Sequence, residues 1–172
     1  SRDIFKVFHI PILQAPGFEA DDVIGTLTKL LKSDFNIIIA SGDMDTLQLV
    51  DGKKVQVFTM KKSINDTVVY DEAAVKERYG FAPALMVDYK GLRGDPSDNI
   101  IGIPGIGEKT ATTLITAFGG IDDIYKALKK DSEKFMEKAK VTERIAKLLE
   151  EHEEEAEFSK VLATIRTDAP VT

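Results

Sequence analysis

The sequence predicts an α/β fold in which a small core of strands and helices is followed by a lobe made only of helices. In the first half of the chain, helical apolar periodicity alternates with short β-branched runs, as in a layered α/β sheet. After Pro83 the periodicity is helical only. We therefore expect a partial sheet core over residues 1–85 and a helical lobe over residues 86–172.

The first elements of the core are two helices and a strand. Residues 4–8 form the apolar part of an amphipathic helix. Residues 19–32 follow a Pro-Gly turn and carry apolar side chains at nearly the helical period of 3.6 residues. Residues 35–40 are rich in Ile, which predicts a strand buried on both faces.

A hairpin and a capped helix complete the core. Residues 55–59 and 67–70 have strand character and are joined across a turn at Asn65-Asp66. Asp71 is a good N-cap and Gly80 a good C-cap for the helix between them. This order of elements predicts a sheet with helices packed against it.

The helical lobe shows three apolar stripes at the spacing i, i+3, i+4, i+7, which we interpret as core contacts rather than cofactor sites. A run of six glutamates between residues 150 and 157 is interpreted as a solvated helix face. The stripes begin with Ala111, Leu114, Ile115 and Phe118, continue with Ile121, Ile124, Tyr125 and Leu128, and end with Ile145, Leu148, Leu149 and His152.

Composition excludes several kinds of site. The 172 residues include 23 Lys and Arg against 29 Asp and Glu, a net charge of −6, so overall charge does not advertise nucleic-acid binding. The absence of Cys excludes disulfides, Cys-ligated zinc and thiol nucleophiles. The two histidines are too few and too far apart for the usual zinc arrangements. No apolar run approaches ~18 residues, so we expect a soluble cytoplasmic protein with no membrane partner.

Nine acidic side chains in four clusters stand at helix starts or turns. Each cluster alone has an ordinary explanation, because acids favour the first turn of a helix and Asp is common in turns. That explanation is sufficient for Asp122 and Asp123. The others form a pattern, since ligands of an α/β sheet bind beyond the carboxyl ends of its strands. The candidate metal ligands are Glu19, Asp21, Asp22, Asp43, Asp45, Asp95 and Asp98.

Seven converging carboxylates would repel one another unless cations were present. Oxygen ligands without Cys or a nearby His favour Mg²⁺, with Mn²⁺ as a substitute. Two such ions roughly 3.5–4 Å apart suit phosphodiester hydrolysis, in which one activates water and the other stabilises the leaving oxygen. The acids thus predict a two-metal phosphodiesterase if they meet in space.

A second motif, Gly-Ile-Pro-Gly-Ile-Gly-Glu-Lys-Thr-Ala at residues 102–111, leads into a helix. Glycine lets the backbone approach a phosphate closely, and the first N–H groups of the helix then point at it. Such contacts position DNA without reading its sequence. The alternative is an ordinary corner between two helices. The candidate DNA-binding residues are Gly102, Ile103, Gly105, Ile106, Gly107, Lys109 and Thr110.

Four motifs in a fixed order, at residues 17–22, 41–45, 94–99 and 102–111, resemble the 5′-nuclease (flap endonuclease) family. The resemblance is closest to the N-terminal 5′→3′ exonuclease domain of bacterial DNA polymerase I. It covers nearly the whole chain. It implies a PIN-like parallel-sheet core that lacks its N-terminal strand, followed by a helix–three-turn–helix DNA-binding lobe.

The resemblance also implies a function and roles for single residues. The function is Mg²⁺-dependent cleavage of DNA at 5′ flaps and 5′ ends in replication and repair. Asp22 and Asp95 match acids of the bacterial branch, and the carbonyls of Gly102, Ile103 and Ile106 match a K⁺ site at the DNA clamp. The implied catalytic acids are Glu19, Asp21, Asp43, Asp45 and Asp98.

The chain departs from the family at its beginning. The first metal-binding strand and the helical arch are missing, and the chain starts Ser-Arg-Asp without Met, which we interpret as an interior point of a longer sequence. The missing N-terminal segment and an attached polymerase are therefore possible partners besides DNA. Two alternatives stay open at this point: a non-catalytic module that binds DNA structures through the glycine hairpin, and a PIN-type ribonuclease.

Overall fold

The computed structural model describes residues 2–60 and 66–171. It has a sheet core followed by helices, in agreement with the predicted fold class. The strands are β1 (Ile37–Ala40), β2 (Val55–Met60) and β3 (Thr67–Tyr70). The helices are α1 (Arg2–Val7), α2 (Ala20–Leu31), α3 (Glu72–Tyr79), α4 (Met86–Arg93), α5 (Glu108–Phe118), α6 (Ile121–Lys130), α7 (Ser132–Ala139), α8 (Glu143–Glu151) and α9 (Glu153–Ala163).

The three strands lie in the order β1-β2-β3. Strands β1 and β2 are parallel, with Ile37 opposite Val55, whereas β2 and β3 are antiparallel, with Val57 opposite Tyr70. The predicted hairpin is therefore confirmed in its strands. Its turn residue Asn65 lies outside the described residues.

The prediction that β1 is buried on both faces is wrong. Ile39 is 6% exposed and packs in the core cluster, but Ile38, which points to the other face, is 64% exposed. Alternate side chains of a strand point to opposite faces, and only one face of β1 is covered by the described residues. The amphipathic helix α1 also forms without burying any residue.

Predicted end signals place α3 correctly. The side chain of Asp71 accepts a hydrogen bond from the N–H of Ala74 at 2.9 Å, and Gly80 ends the helix with a φ of +85°. The left-handed conformation at this position favours glycine because it lacks a Cβ. After Pro83, the described residues contain helices and short 3₁₀ turns only, as expected.

The helical lobe has its own apolar core, in which the predicted stripes of α5, α6 and α8 meet α4. Asp88, on α4, is 4% exposed and fastens two other helices. Its Oδ1 accepts hydrogen bonds from the N–H of Ile121, at the start of α6, and from Nζ of Lys160, on α9, at 2.9 and 2.7 Å. This buried carboxylate caps α6 from a neighbouring helix and links it to α9.

The chain after α9 returns to the core and runs along α2. The N–H of Ala169 donates to Oγ1 of Thr26 at 3.0 Å, and the N–H of Ile165 donates to Oε1 of Gln48 at 2.9 Å. The close packing of Ile165 leaves no space for a side chain at Gly25, where a Cβ would lie 2.7 Å from it. These contacts join the helical lobe to the core. No helix among the described residues combines the length and apolarity needed to cross a membrane.

Candidate metal and nucleic-acid site

Three carboxylates from two separate segments meet between the core and the helical lobe. Asp45 lies in the 3₁₀ turn Met44–Leu49 that follows β1, and Asp95 and Asp98 lie around the 3₁₀ turn Pro96–Asp98 that follows α4. One oxygen from each of the three lies within 4.8 Å of the other two. We call Asp45, Asp95 and Asp98 the acidic triad. The sequence predicted that acids as far apart as Asp45 and Asp95 would meet in space, and the structure confirms this for the three acids of the triad.

Local backbone structure fixes the triad's two segments. Oδ1 of Asp43 accepts a hydrogen bond from the N–H of Asp45 at 2.9 Å, which caps the turn after β1. The loop that holds Asp95 and Asp98 is closed by two backbone hydrogen bonds between Asp95 and Ile100, at 2.8 and 2.9 Å. Each carboxylate is thus held by a short closed turn rather than by a long flexible loop.

The ammonium of Lys90 lies inside the triad. This side chain comes from α4 and is 6% exposed. Its Nζ contacts Oδ1 of Asp45, lies 2.7 Å from Oδ2 of Asp95 and lies 3.8 Å from Oδ2 of Asp98. Two of the acids are themselves largely buried, with side-chain exposures of 18% for Asp45 and 15% for Asp95.

The pKa values of the triad diverge. Burial raises the pKa of Asp45 to about 6, because it outweighs the opposing effect of Lys90, and the charge of Asp43 adds to the shift. Burial acts in the same direction on Asp95, but hydrogen bonds from Lys90 and Ser97 overcome it and lower its pKa to about 2. Burial lowers the pKa of Lys90, yet its bonds to Asp45 and Asp95 leave it above the usual value. The site therefore holds more negative charge than one lysine neutralises.

The remaining predicted acids lie around Asp21 at the start of α2. Burial raises the pKa of Asp21, and repulsion from nearby carboxylates raises it further. Those carboxylates are, in decreasing order of effect, Asp43, Glu19, Asp22 and Asp98. The influence of Asp98 and Asp43 connects this group to the triad electrostatically. Whether these acids bind metal stays a prediction.

Asp22 has a structural use for each of its oxygens. Oδ2 accepts a hydrogen bond from the N–H of Glu19 at 3.1 Å, as in a helix capping box. Oδ1 accepts one from the N–H of Arg166 at 2.9 Å, which fastens the returning chain to α2. These contacts favour a role in folding for Asp22, and its predicted metal role receives no support from them.

The glycine hairpin is packed directly against the triad's loop. Gly102 and Gly94 both have positive φ, at +64° and +76°, and a Cβ on Gly102 would lie 2.1 Å from the backbone nitrogen of Gly94. The N–H of Gly102 donates to Oγ of Ser159 at 3.0 Å. Because the two glycine backbones touch, the loop that carries Asp95 and the hairpin form one unit. Gly102 is needed by packing and is buried.

The rest of the hairpin divides into buried and open positions. Ile103 and Ile106 are 1% and 3% exposed, and a 3.0 Å hydrogen bond from the N–H of Ile106 to the carbonyl of Ile103 closes the turn. Gly107 is the N-cap of α5, and no atom lies within 4 Å of a Cβ built there. Gly105 (φ +94°), Gly107 and Lys109 are exposed, and Thr110 is half-buried. The start of α5 is therefore open to a phosphate.

Sequence reasoning missed Lys90, the residue at the centre of the triad. A signal was present, because Lys90 follows Met86 and Tyr89 at i+4 and i+1, on the buried face of α4. A lysine on an apolar helix face needs an anionic partner. The partner could not be chosen from the sequence, because acids are abundant in this chain.

Two family models together match the whole chain. Residues 1–80 match the model described as 5′-3′ exonuclease, N-terminal resolvase-like domain. Residues 81–172 match the model described as 5′-3′ exonuclease, C-terminal SAM fold. The boundary between the two family models, at residues 80 and 81, lies close to Pro83, after which the sequence pattern is helical only.

Curated relatives are considerably longer than this chain. DNA polymerase I of Bacillus caldotenax is 42% identical over 99% of this chain, which covers 18% of that protein. A 5′-3′ exonuclease of Buchnera aphidicola is 41% identical over 98% of this chain, which covers 53% of it. The chain thus spans about half of one relative and under a fifth of the other.

Solved structures share the fold. A bacteriophage T5 5′-exonuclease structure described as having bound divalent zinc ions superposes with a TM-score of 0.77 at 24% identity. The match covers 96% of this chain and 58% of that one. The catalytic core of Rad2 in complex with DNA superposes with a TM-score of 0.58 at 18% identity, covering 97% and 54% of the two chains. At these identities the likeness shows the fold alone.

Proposed function

This chain belongs to the 5′-3′ exonuclease family, and from that premise we propose that it forms the later part of a Mg²⁺-dependent nuclease acting on DNA with 5′ flaps or 5′ ends. The observation that carries the proposal is the packing of the acidic triad against the glycine hairpin through Gly94 and Gly102. A group of metal-ligating type and a phosphate-binding helix start lie on one unit, as cleavage of a bound phosphodiester requires.

The triad's residues fit a divalent ion. Their donors are carboxylate oxygens within 4.8 Å of one another, which is the ligand type that Mg²⁺ and Mn²⁺ prefer. Burial raises the pKa values of Asp45 and Asp21, and repulsion from neighbouring carboxylates adds to both shifts, so a cation among these acids would favour their ionised forms. In this proposal Asp45, Asp95 and Asp98 hold one ion, and Glu19, Asp21 and Asp43 contribute to a second.

The residues divide the work. Bound Mg²⁺ would supply a water of lowered pKa and would neutralise charge at the leaving oxygen. The closed turns at Asp43 and Asp95 hold the carboxylates in position. On the DNA side, N–H groups at the start of α5 hold a phosphate at the open Gly107, and Lys109 and Thr110 add a charge and a hydroxyl.

Three further assignments belong to the proposal. The carbonyls of Gly102, Ile103 and Ile106 bind a K⁺ ion that also meets a DNA phosphate. The protein works in the bacterial cytosol in replication and repair. An N-terminal segment acts together with this part, and so does a polymerase where the chain belongs to a protein like the DNA polymerase I of Bacillus caldotenax; the greater length of the relatives supports this.

The test is cleavage of a fluorescent 5′-flap DNA by the full-length protein, with Mg²⁺ and with EDTA. Asp98→Asn and Asp43→Asn should each reduce Mg²⁺-dependent cleavage by at least about a hundredfold, since each removes a ligand charge. The matched control is Asp122→Asn, an exposed acid in the first turn of α6 that lies outside the acid groups. Undiminished cleavage by both Asp98→Asn and Asp43→Asn would reject the nuclease site.

A binding assay separates the nuclease from a module that only binds DNA. Gly107→Asp places a negative charge at the start of α5 and should weaken flap binding strongly at low salt. Wild-type protein that binds branched DNA through this hairpin but cuts nothing with Mg²⁺ or Mn²⁺ would favour the binding module instead.

A further inference from the structure

We propose that Lys90 is an exchangeable counter-ion of the acidic triad, which a divalent ion must displace in order to bind. The inference rests on the proposed function because it concerns the same carboxylates. It adds a residue that positions the ligands and sets their affinity for metal. The proposed role of Lys90 is not that of a metal ligand, since an ammonium has no lone pair with which to coordinate a cation.

The first step is the charge balance of the triad. Three carboxylates carry up to three negative charges, and Lys90 supplies one positive charge among them. Its Nζ contacts Asp45 and lies 2.7 Å from Asp95, so two acids on different segments share one ammonium. Without that charge, the triad's carboxylates would be left facing one another in a poorly solvated place.

The second step is that the ammonium and a metal ion need the same space. Mg²⁺ binds carboxylate oxygens at about 2.0–2.1 Å. An ion bound through the oxygens that Lys90 contacts, Oδ1 of Asp45 and Oδ2 of Asp95, would lie where Nζ of Lys90 lies. Overlap and like-charge repulsion therefore make the two occupants mutually exclusive.

The third step is that Lys90 can leave without unfolding the site. Its backbone is fixed in α4, but its side chain has four rotatable bonds, and Asp98 is 50% exposed at the edge of the triad. The ammonium can therefore move outward past Asp98 while the stem stays packed. The metal-free protein keeps its carboxylates in place through Lys90, and the ion takes over that role.

Lys90→Met is the decisive variant, because it keeps the apolar stem and removes the charge. We expect its metal-free thermal stability to fall and its Mn²⁺ affinity to rise by about tenfold or more, since the repulsion by a nearby ammonium is gone. Mn²⁺ binding is measured by electron paramagnetic resonance, and melting temperature is measured in EDTA and in Mg²⁺. The added Mg²⁺ should raise the melting temperature of the variant more than that of the wild type.

Lys160→Met is the matched control. Lys160 also pairs with a buried carboxylate, Asp88 at 2.7 Å, which is not a member of the triad. Its variant should lose similar stability in EDTA and in Mg²⁺ and keep wild-type Mn²⁺ affinity. Unchanged or weaker Mn²⁺ binding by Lys90→Met, with no extra Mg²⁺ stabilisation, would overturn the proposal.

A measurement on the wild-type protein covers the case in which Lys90→Met does not fold. Acetylation of lysines by acetic anhydride, followed by mass spectrometry, reports which amines are accessible to the reagent. Displacement predicts that Lys90 is protected in EDTA and becomes several-fold more reactive in Mn²⁺, whereas Lys160 does not change. Equal protection of Lys90 in both conditions would contradict exchange. Metal-dependent release of Lys90 without flap cleavage would support exchange and reject the nuclease.

Discussion

Asp95→Asn should lower the unfolding free energy of the metal-free protein at neutral pH. In acid, the difference between the variant and the wild type should disappear. The ionised carboxylate accepts hydrogen bonds from Lys90 at 2.7 Å and from the N–H of Ser97 at 3.0 Å. These bonds lower the pKa of Asp95 from 3.8 to about 2, although burial opposes them. Asn keeps an oxygen that can accept a hydrogen bond from Lys90, but it carries no charge and cannot form an ion pair with the ammonium.

The size of the effect follows from proton linkage. A pKa lowered on folding adds stability above the unfolded pKa, and this stability is lost as the pH falls through the folded pKa. A shift from 3.8 to about 2 corresponds to about 2 kcal/mol of unfolding free energy at pH 7, with about half remaining at pH 3. The loss thus falls in the window between about pH 4 and pH 2.

The assay is urea unfolding of wild type and Asp95→Asn in EDTA at pH 7, 4 and 3. The control is Asp131→Asn, a partly exposed N-cap whose side chain accepts from the N–H of Lys134 at 3.1 Å and forms a solvent-exposed ion pair with the Lys134 ammonium, a kind of pair that contributes little to stability. Asn caps helices about as well as Asp, so this control should stay close to wild type. Equal stability of Asp95→Asn and wild type at pH 7, or a difference as large at pH 3 as at pH 7, would refute the reasoning.

Three further changes test the frame around the site. Gly102→Ala should cost about 3 kcal/mol or more in urea unfolding, because of its positive φ and the 2.1 Å approach to Gly94, whereas Gly107→Ala should be nearly neutral. Asp88→Ala should lower the free energy of unfolding by about 3–5 kcal/mol in the same assay, because it leaves Lys160 and the N–H of Ile121 without their partner. A decrease below about 1 kcal/mol would contradict this. Asp22→Ala should lower the free energy of unfolding by about 1 kcal/mol, because the capping hydrogen bonds are lost, and should keep the Mn²⁺ affinity within about twofold of wild type. A tenfold loss of Mn²⁺ affinity would instead identify Asp22 as a metal ligand.

The sequence was sufficient for features that depend on local pattern. Caps at Asp71 and Gly80, the stripes of α5 and α6, and the hairpin strands follow from short-range preferences, and the structure confirms them. The convergence of Asp45 with Asp95 and Asp98 was also predicted, because Asp45 follows the carboxyl end of a strand and the other two acids lie in a turn-rich loop. Here the general rule for α/β ligand sites supplied the long-range information.

The features that could not be predicted depend on contacts between residues that are distant in the sequence. The run 35–40 is as apolar as a strand covered on both faces, yet Ile38 is 64% exposed, because burial depends on what packs against a strand. Asp22 looked like its neighbour Asp21, but only folding brings the N–H of Arg166 to its carboxylate. Lys90 was missed for the same reason, since its acids follow it in one case and precede it by 45 residues in the other.

The contact between Gly94 and Gly102 explains why the acid motif and the glycine motif occur so close together in the chain. A side chain at either glycine would meet backbone atoms of the other's segment within 2.4 Å, so the two loops can touch only without Cβ atoms. Asp95 follows one glycine directly, and the N-terminus of α5 lies six residues beyond the other. A shift of the hairpin would therefore move the segment that carries Asp95. If the hairpin binds a phosphate and the triad binds a divalent ion, as proposed, the two binding events should be coupled, and the coupling acts equally in both directions.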